Sequence, residues 1–495
     1  MTARRPVLAL AAAAATLLGG CALLGESEAR RATDEALARP QPAASTAALA
    51  ALQAPLPGAA AAPAVDGTDA APINSALTLD ETLRRARRTS EQVRAAGEDL
   101  HRAYLSRLTA LSELLPQLSY QQTYFREEDD VPTQTSTGGI RFGALLIEQR
   151  TGRFEARMPL FYLSGYLALG QASSLIDVAE AQLRAERLVV DQATTALFYV
   201  ALKAERFIAT LEASRDRDLE RRREIEARAA TGLARRTEVL FVQTDLARTE
   251  AALAEAREQL QSAREQLALL IGSRVEGALV EPRLPEPLEP SRLGARALPE
   301  LVDEAHRRRP DLAATRSQVE VAEGVLDVAL GEYAPRLDVA GNYYTHRDGT
   351  LQDVDWDVTA DLSVPIFEGL RTTTRARDAQ SRKRQAELVY QGQARAIARD
   401  VTAAYHSLRA SSAARTSREE TARSAEENFR LLEAEYRLGL ASNLELVTAQ
   451  QQLTQARLEL ENERLDEQRL AYDLAFLIGG LDAATGEPTS AAASP

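Results

Sequence analysis

Apolar residues recur every seven positions in two long stretches of the chain. Val239, Leu246, Leu253, Leu260 and Leu267 form one ladder; Leu446, Leu453, Leu460 and Leu474 form another, with Glu467 on its fourth rung. A strict seven-residue period predicts long helices that pack side by side along a coiled-coil-like seam. Each ladder follows a glycine turn, Thr231-Gly232-Leu233 in one case and Leu438-Gly439-Leu440 in the other. Each closes on the same tripeptide, Leu270-Ile271-Gly272 and Leu477-Ile478-Gly479. Glycine admits the left-handed backbone that ends or reverses a helix. Gly232 and Gly439 lie 207 residues apart, and the downstream register holds without a gap.

The period changes from seven to two upstream of these helices. Leu118, Tyr120, Gln122 and Tyr124 alternate with Ser119, Gln121, Thr123 and Phe125, and Phe154, Ala156, Met158 and Leu160 alternate with Glu155, Arg157 and Pro159. Leu337, Val339, Gly341 and Tyr343 repeat the first pattern. Trp356, Val358, Ala360, Leu362, Val364 and Ile366 then alternate with Asp357, Thr359, Asp361, Ser363 and Pro365 over eleven residues. That length and alternation suit a transmembrane β-strand, and two Asp on the polar face favour a water-filled lumen. A half-buried strand in a soluble sheet alternates in the same way and is the competing reading.

The two patterns define an internal duplication. Pro116 and Pro335 are 219 residues apart, whereas Met158-Pro159-Leu160-Phe161 and Val364-Pro365-Ile366-Phe367 are 206 apart, so the first copy carries 13 more residues between its landmarks. Residues 126–152, acidic and then Thr- and Gly-rich, are expected to form a long exposed loop. Each half reads helix, strand, loop, strand, long helix, glycine turn, long helix. The first helix opens within Leu77-Thr78-Leu79-Asp80-Glu81, with Thr78 or Asp80 as N-cap, and is expected to run to Leu114 with a break near Gly97. Its counterpart runs from Leu298 to Glu332. Residues 163–228 contain no proline and almost no glycine, and a helix of that length approaches ~100 Å.

Composition narrows the class. Aromatics are 5% and the net charge is −13, which disfavours a nucleic-acid-binding surface. The one cysteine excludes an internal disulfide. It stands in Leu18-Gly19-Gly20-Cys21, after Arg4-Arg5 and a short apolar run from Val7 to Leu18. Residues 1–20 therefore read as a signal peptide. Residues 21–76 are an Ala/Pro-rich tether, 77–279 the first repeat, 280–296 a Pro-rich linker, 297–480 the second repeat and 481–495 a flexible tail. No run of 18 apolar residues follows the N-terminus.

Four amphipathic strands cannot sit alone in a bilayer, because their edge N–H and C=O groups would lack partners. Eight strands fill with side chains, whereas twelve can leave a passage. A trimer of four-stranded contributions is then the smallest assembly expected to conduct, with the long helices continuing its wall.

The duplicated plan, the Leu-Pro-x-Leu strand start, the Pro-Leu/Ile-Phe strand ends and the Gly-Leu-Ala turns resemble TolC-type outer-membrane efflux proteins over roughly residues 77–480. The Leu-small-small-Cys ending resembles the bacterial lipobox, which implies palmitate and a lipid anchor at Cys21. An ordinary signal peptide that happens to contain a Cys is the alternative. The efflux resemblance implies an α+β membrane fold, with a trimeric twelve-stranded β-barrel continued by a periplasmic α-helical barrel. It implies partnership with a periplasmic adaptor and, through it, an inner-membrane pump. By the same resemblance the adaptor docks at Gly232, Leu233, Gly439 and Leu440, and Glu445 and Tyr436 belong to the closed aperture. The family's second acidic position is Thr448 here and its latch Arg is Ala441, so that part of the pattern is incomplete. Glu445 also suits an ordinary helix N-terminal acid. Asp338, Asp357 and Asp361 are expected to face the lumen.

His101, His306, His346 and His406 are scattered without metal-ligand spacing, and no nucleotide loop or nucleophile elbow occurs. No cofactor and no enzymatic activity is expected. A periplasmic adaptor or structural coiled-coil lipoprotein would explain the anchor and helices, but not two pairs of amphipathic strands at matching places in a duplication. Within the family, small-molecule efflux, metal efflux and type I protein secretion remain open, and the lipid anchor leans toward small-molecule efflux.

Overall fold

A computed structural model describes residues 70–134, 140–348 and 353–479. The signal peptide, Cys21, the tether up to residue 69 and the tail 481–495 lie outside the described residues. In order the elements are β1 (Ala70–Ile73), α1 (Leu79–Thr89), α2 (Glu91–Ser112), β2 (Gln117–Gln134) and β3 (Ile140–Tyr162). Helices α3 (Leu163–Ala230) and α4 (Arg236–Ile271), strand β4 (Ser273–Val275) and α5 (Pro290–Ala295) follow. The second repeat is α6 (Leu298–Arg308), α7 (Pro310–Gly331), β5 (Arg336–Arg347), β6 (Trp356–Ser363), α8 (Arg371–Arg437) and α9 (Asn443–Ile478).

The duplication is visible in these bounds. Helices α1 and α2 map onto α6 and α7 at 219 residues at both ends, and α4 maps onto α9 at 207. The long helices α3 and α8 end at the same 207 offset. The helix of 68 residues, α3, is about 100 Å long at 1.5 Å per residue.

Two sequence expectations about the first half are corrected. The break in the first helix falls at Ser90, not Gly97. The Ser90 hydroxyl accepts the Val93 N–H at 3.4 Å and so starts α2, while a glycine inside a helix costs only ~1 kcal/mol and is carried through. The equivalent break, at Arg309, precedes Pro310, which is suited to a first helical position. Residues 126–152 are not a long loop. Strands β2 and β3 continue through them in one antiparallel ladder, from Gln117 opposite Arg157 to Gln134 opposite Ile140. Main-chain pairing between the two strands does not depend on side-chain polarity, so a polar composition did not end them. In the second half, β6 stops at Ser363 rather than Ile366, because Pro365 has no N–H for the ladder.

The chain divides into two compact units. One comprises Leu100–Ala179 and Thr315–Tyr390. It holds a four-stranded antiparallel sheet of order β2-β3-β5-β6, leaving β2 and β6 as open edges. Beside the sheet, α7 approaches α3 closely. A Cβ on Gly331 would lie 3.1 Å from Ser164 Cα, and one on Gly324 would lie 2.9 Å from the Gln171 side chain. Glycine at these positions lets the two helices touch.

The other unit comprises the described parts of Asp34–Asp99 and Gln391–Pro495, together with Glu180–Ala314. Its β1 and β4 form a two-stranded parallel ribbon, and Arg87 on α1 holds the buried Asp191 on α3 through two bonds of 2.6 and 2.7 Å. Phe198 and Tyr199 of α3 pack near Tyr472 and Phe476 of α9 in its core. Glu467, on the odd rung of the second ladder, is buried and takes its charge partner from Arg415 at 2.8 Å and a hydroxyl from Ser412 at 2.6 Å. Among the described residues no helix is long and apolar enough to cross a membrane.

Candidate functional site

The sheet sorts its side chains by face. Strand pairing puts Tyr120 opposite Phe154, Phe154 opposite Tyr343 and Tyr343 opposite Trp356. One row of four aromatics thus crosses all four strands on one face, and the Tyr120 and Phe154 rings are 4.9 Å apart. Leu118, Ala156, Gly341 and Val358 form the next row on that face, and Val339 and Ala360 lie beyond. Most of its large side chains are exposed, with Trp356 at 67% and Val358 at 63%. An apolar face with an aromatic row is the composition of a lipid-facing strand surface and its interfacial girdle.

The opposite face carries Asp338, Asp357 and Asp361. Asp338 and Asp361 stand directly across from each other on β5 and β6. Asp338 is held by Arg336 at 2.7 Å. Asp357 accepts hydrogen bonds from Asn342 and the Tyr344 hydroxyl, both at 2.8 Å. Glu155 on the same face lies between Arg153 at 3.2 Å and Arg157 at 2.9 Å. Among the described residues Asp361 alone of the three Asp has no ion pair. Sequence reasoning missed these arginine partners, although Arg153 and Arg157 stand at the alternating positions that mark that face.

The glycine turns belong to the other unit. Gly232 has φ 77° and Gly439 φ 75°. In the first, Leu233 N donates to Arg228 O at 2.8 Å and Gly232 N to Ala229 O at 3.0 Å. In the second, Leu440 N donates to Glu435 O at 2.9 Å and Gly439 N to Tyr436 O at 3.0 Å. Both are Schellman endings that a Cβ at positive φ would strain. They leave apolar side chains in water: Leu233 is 81% exposed and Leu440 77%.

Past the second turn, Ser442 caps α9. Its hydroxyl accepts the Glu445 N–H at 3.2 Å, and the Glu445 carboxylate accepts the Ser442 N–H and hydroxyl, each at 2.8 Å. The Ser442 backbone N–H, and after it the hydroxyl, hold the Glu445 carboxyl below its ordinary range. The first repeat keeps a Glu at the matching position: Glu238 accepts the Arg235 N–H at 3.3 Å. The full capping box stands at the second turn; the first keeps only its Glu half, because the Arg235 side chain has no acceptor for the Glu238 N–H.

Tyr436 is buried beside Ile225, Val242, Leu446 and Val447. Its hydroxyl accepts from Arg228 Nη1 at 3.1 Å, and the Arg228 and Arg221 guanidinium carbons lie 5.0 and 5.6 Å from the ring centre. Burial, and then Glu224, push the phenol upward. Sequence reasoning singled out the tyrosine and not its arginines, which precede the other repeat's turn.

One polar cluster escaped sequence reasoning altogether. Asp218 on α3 accepts from Thr249 on α4 at 2.8 Å and from Gln450 on α9, and Asp245 on α4 accepts from Gln451 on α9. Asp218 and Asp245 are both buried, and burial raises the pKa of each, with the charge of Asp245 adding to the rise at Asp218.

Comparison with known proteins agrees with this geometry. Residues 301–480 match the family model described as "Outer membrane efflux protein". The chain is 25% identical over 425 residues to the alkaline protease secretion protein AprF of Pseudomonas aeruginosa, covering 84% of this chain and 87% of that protein. It is 22% identical to the outer membrane protein TolC of Vibrio cholerae, covering 82% and 91% of the two chains. The crystal structure of the outer membrane protein VceC of Vibrio cholerae shares the fold with a TM-score of 0.67 at 19% identity, over 81% of this chain and 96% of that one. These likenesses define an outer-membrane duct of export systems. Within that class the chain is similar, over residues 301–480, to the outer-membrane efflux proteins of the TolC type, a family of channels.

Proposed function

We propose that three copies of this chain close a twelve-stranded barrel, four strands from each, and that the long helices form a periplasmic tube beneath it. The observation that carries this is the row Tyr120, Phe154, Tyr343 and Trp356, in register across a sheet whose edges β2 and β6 are open. An amphipathic sheet with open edges needs closure in a bilayer, and four strands are too few to surround a passage. The duct is passive: substrate is pushed into it by an inner-membrane pump through a periplasmic adaptor. The exposed Leu233 and Leu440, beside Gly232 and Gly439, support these turns as the adaptor's docking surface. Tyr436 and Glu445 lie at the same end of the hairpins, and in this reading they restrain the aperture. Asp338, Asp357 and Asp361 line the lumen.

The mass of the detergent-solubilised oligomer tests this reading: a trimer is expected, and a well-folded monomer or dimer would reject it. Cys21 anchors the chain through palmitate, and loss of palmitate labelling in Cys21→Ala is the check. For the substrate, the likeness to a protein named for alkaline protease secretion, over most of both chains, favours a secreted protein over a small molecule. Retention of an exported protein in cells lacking this chain, with unchanged drug and metal tolerance, is the outcome that reading requires.

A further inference from the structure

The seam that joins α9 to α3 and α4 carries acid where a helix seam ordinarily carries apolar side chains. Asp218 on α3 and Asp245 on α4 are 4% and 7% exposed. Asp218 accepts from the Thr249 hydroxyl of α4 at 2.8 Å and from the Gln450 amide of α9, and Asp245 accepts from the Gln451 amide. Two consecutive amides of one helix thus hang on one acid from each of two others. On either side of this layer the seam is neutral. Thr454 meets Ser214 at 3.1 Å, Leu458 packs on Leu211 and Leu253, and Leu446 and Val447 pack with Ile225 and Val242.

Among the described residues neither acid has an ion pair. Arg217 of α3 and Arg248 of α4 act on Asp218 and Asp245 only through space, and Asp245 opposes the charge on Asp218. Arg221, one turn beyond Asp218, lies over the Tyr436 ring. Glu433 of α8 and Arg457 of α9 lie beside Arg217. What α9 bonds to the two acids, Gln450 and Gln451, is neutral. A buried carboxylate without a cation is costly when charged and takes up a proton instead. The other repeat shows that a long hairpin does not need this cluster. At the 207-residue offset Asp218, Asp245 and Thr249 become Ala425, Gln452 and Ala456.

We propose that Asp218 and Asp245 form a proton-operated lock on α9, closed while they hold protons and loosened as they ionise. Ionisation puts two like charges into one dry seam, and α9 brings nothing to neutralise them. Movement of α9 away from α3 and α4 lets water reach them. Gln450 and Gln451 stand 11 and 12 residues after Gly439, so the lock holds the stretch of α9 that leads from the second glycine turn. Burial raises both acids above the ordinary Asp value of 3.8. The hold is therefore complete below that value and is lost as pH rises through the folded values. Acid keeps the second turn in place, and neutral conditions free it to move. The lock belongs to a single copy and stands whether or not the copies close a barrel.

Hydrogen exchange on the native, detergent-solubilised protein from pH 4 to pH 8 reads the lock, with each rate divided by that of an unprotected amide at the same pH. Protection of residues 446–458 is expected to fall by up to ~tenfold per pH unit for each carboxylate, between the ordinary Asp value and the folded values, and then to level off. Asp218→Asn and Asp245→Asn keep the shape and an oxygen for the Gln amides without the charge. Each is expected to remove part of the fall, and the two together to abolish it. Gln450→Glu adds a third acid to the seam and is expected to steepen the fall, which gives a second reading should the Asn pair fold poorly. Protection that is flat from pH 4 to pH 8 in the native protein, or that keeps its slope in the Asn pair, would overturn the lock. An equal fall in strands β5 and β6 would mark general loosening instead of release of α9, and would overturn it as well. Absence of conductance would reject the channel reading and leave this result readable.

Discussion

Arg228 donates a hydrogen bond to the hydroxyl of Tyr436 at 3.1 Å, and so joins the helix before the first glycine turn to the helix before the second. The two residues come from different repeats, 208 positions apart. Tyr436→Phe removes the bond and keeps the buried ring, which is expected to cost ~0.5–1.5 kcal/mol. Tyr436→Ala also empties the site among Ile225, Val242 and Leu446, at ~3–5 kcal/mol. Hydrogen exchange over residues 222–242 and 432–448 should quicken in that order. Equal protection in all three proteins would remove the contact from the restraint of the turns.

Ser442 and Glu445 separate two roles that one residue could hold. Ser442→Ala removes the cap hydroxyl and keeps the charge, whereas Glu445→Gln keeps a side chain that can still accept a hydrogen bond and removes the charge. Ser442→Ala is expected to loosen the start of α9 without changing ion selectivity, and Glu445→Gln to lower cation selectivity in single-channel recordings. Selectivity unchanged by Glu445→Gln would assign the residue to capping alone. The Glu445 pKa is depressed in the folded chain. Its contribution is therefore complete above the ordinary Glu value and is lost as pH falls through the folded value.

Asp218 and Asp245 have the opposite sign. Burial raises both above the ordinary Asp value of 3.8, so the folded state holds protons that the unfolded chain has released. Stability from this cluster is greatest in acid and falls as pH rises through the folded values. Asp218→Asn is expected to raise the midpoint of thermal unfolding at pH 7–8 and to flatten its pH dependence above pH 4. A lower midpoint at pH 8, or an unchanged slope, would show that the charged form is the favoured partner of Gln450 and Thr249.

Val358 and Thr359 are neighbours on β6 whose side chains stand on opposite faces of the sheet. If the apolar face meets lipid, Val358→Arg places a charge in hydrocarbon and costs up to ~2–4 kcal/mol, while Thr359→Arg stays in the wet lumen. The yield of detergent-resistant trimer in outer-membrane extracts is expected to fall several-fold for the first and little for the second. Equal losses would contradict the assignment of faces.

Much of this was legible from repetition and period. The offsets of 219 and 207 located the helical start of each repeat and the helices α4 and α9, because Pro116 and Pro335 and the two glycine turns mark the same ends in both copies, whereas the α1–α2 break at Ser90 carries neither residue type. Alternation located the four strands. Their register was not legible, so the row from Tyr120 to Trp356 emerged only when the strands were paired. The ends of β2 and β3 were hidden by polar composition, which backbone pairing overrides. The ribbon of β1 and β4 was hidden because four residues in an Ala/Pro-rich stretch give no period. Asp218 and Asp245 carried no signal in the sequence, since nothing in their spacing shows that Gln450 and Gln451 cover them. Glu445 could be marked as an acid near a turn, but its cap depends on the backbone geometry of Ser442.

The central claim is that these sheets close around a water-filled passage. Planar-bilayer recording on the purified, detergent-solubilised oligomer tests it most directly. The account predicts small, cation-selective steps from a trimer, which grow when Tyr436 is replaced by Ala. A trimer that inserts and carries no current, in the native form and in Tyr436→Ala alike, would contradict it.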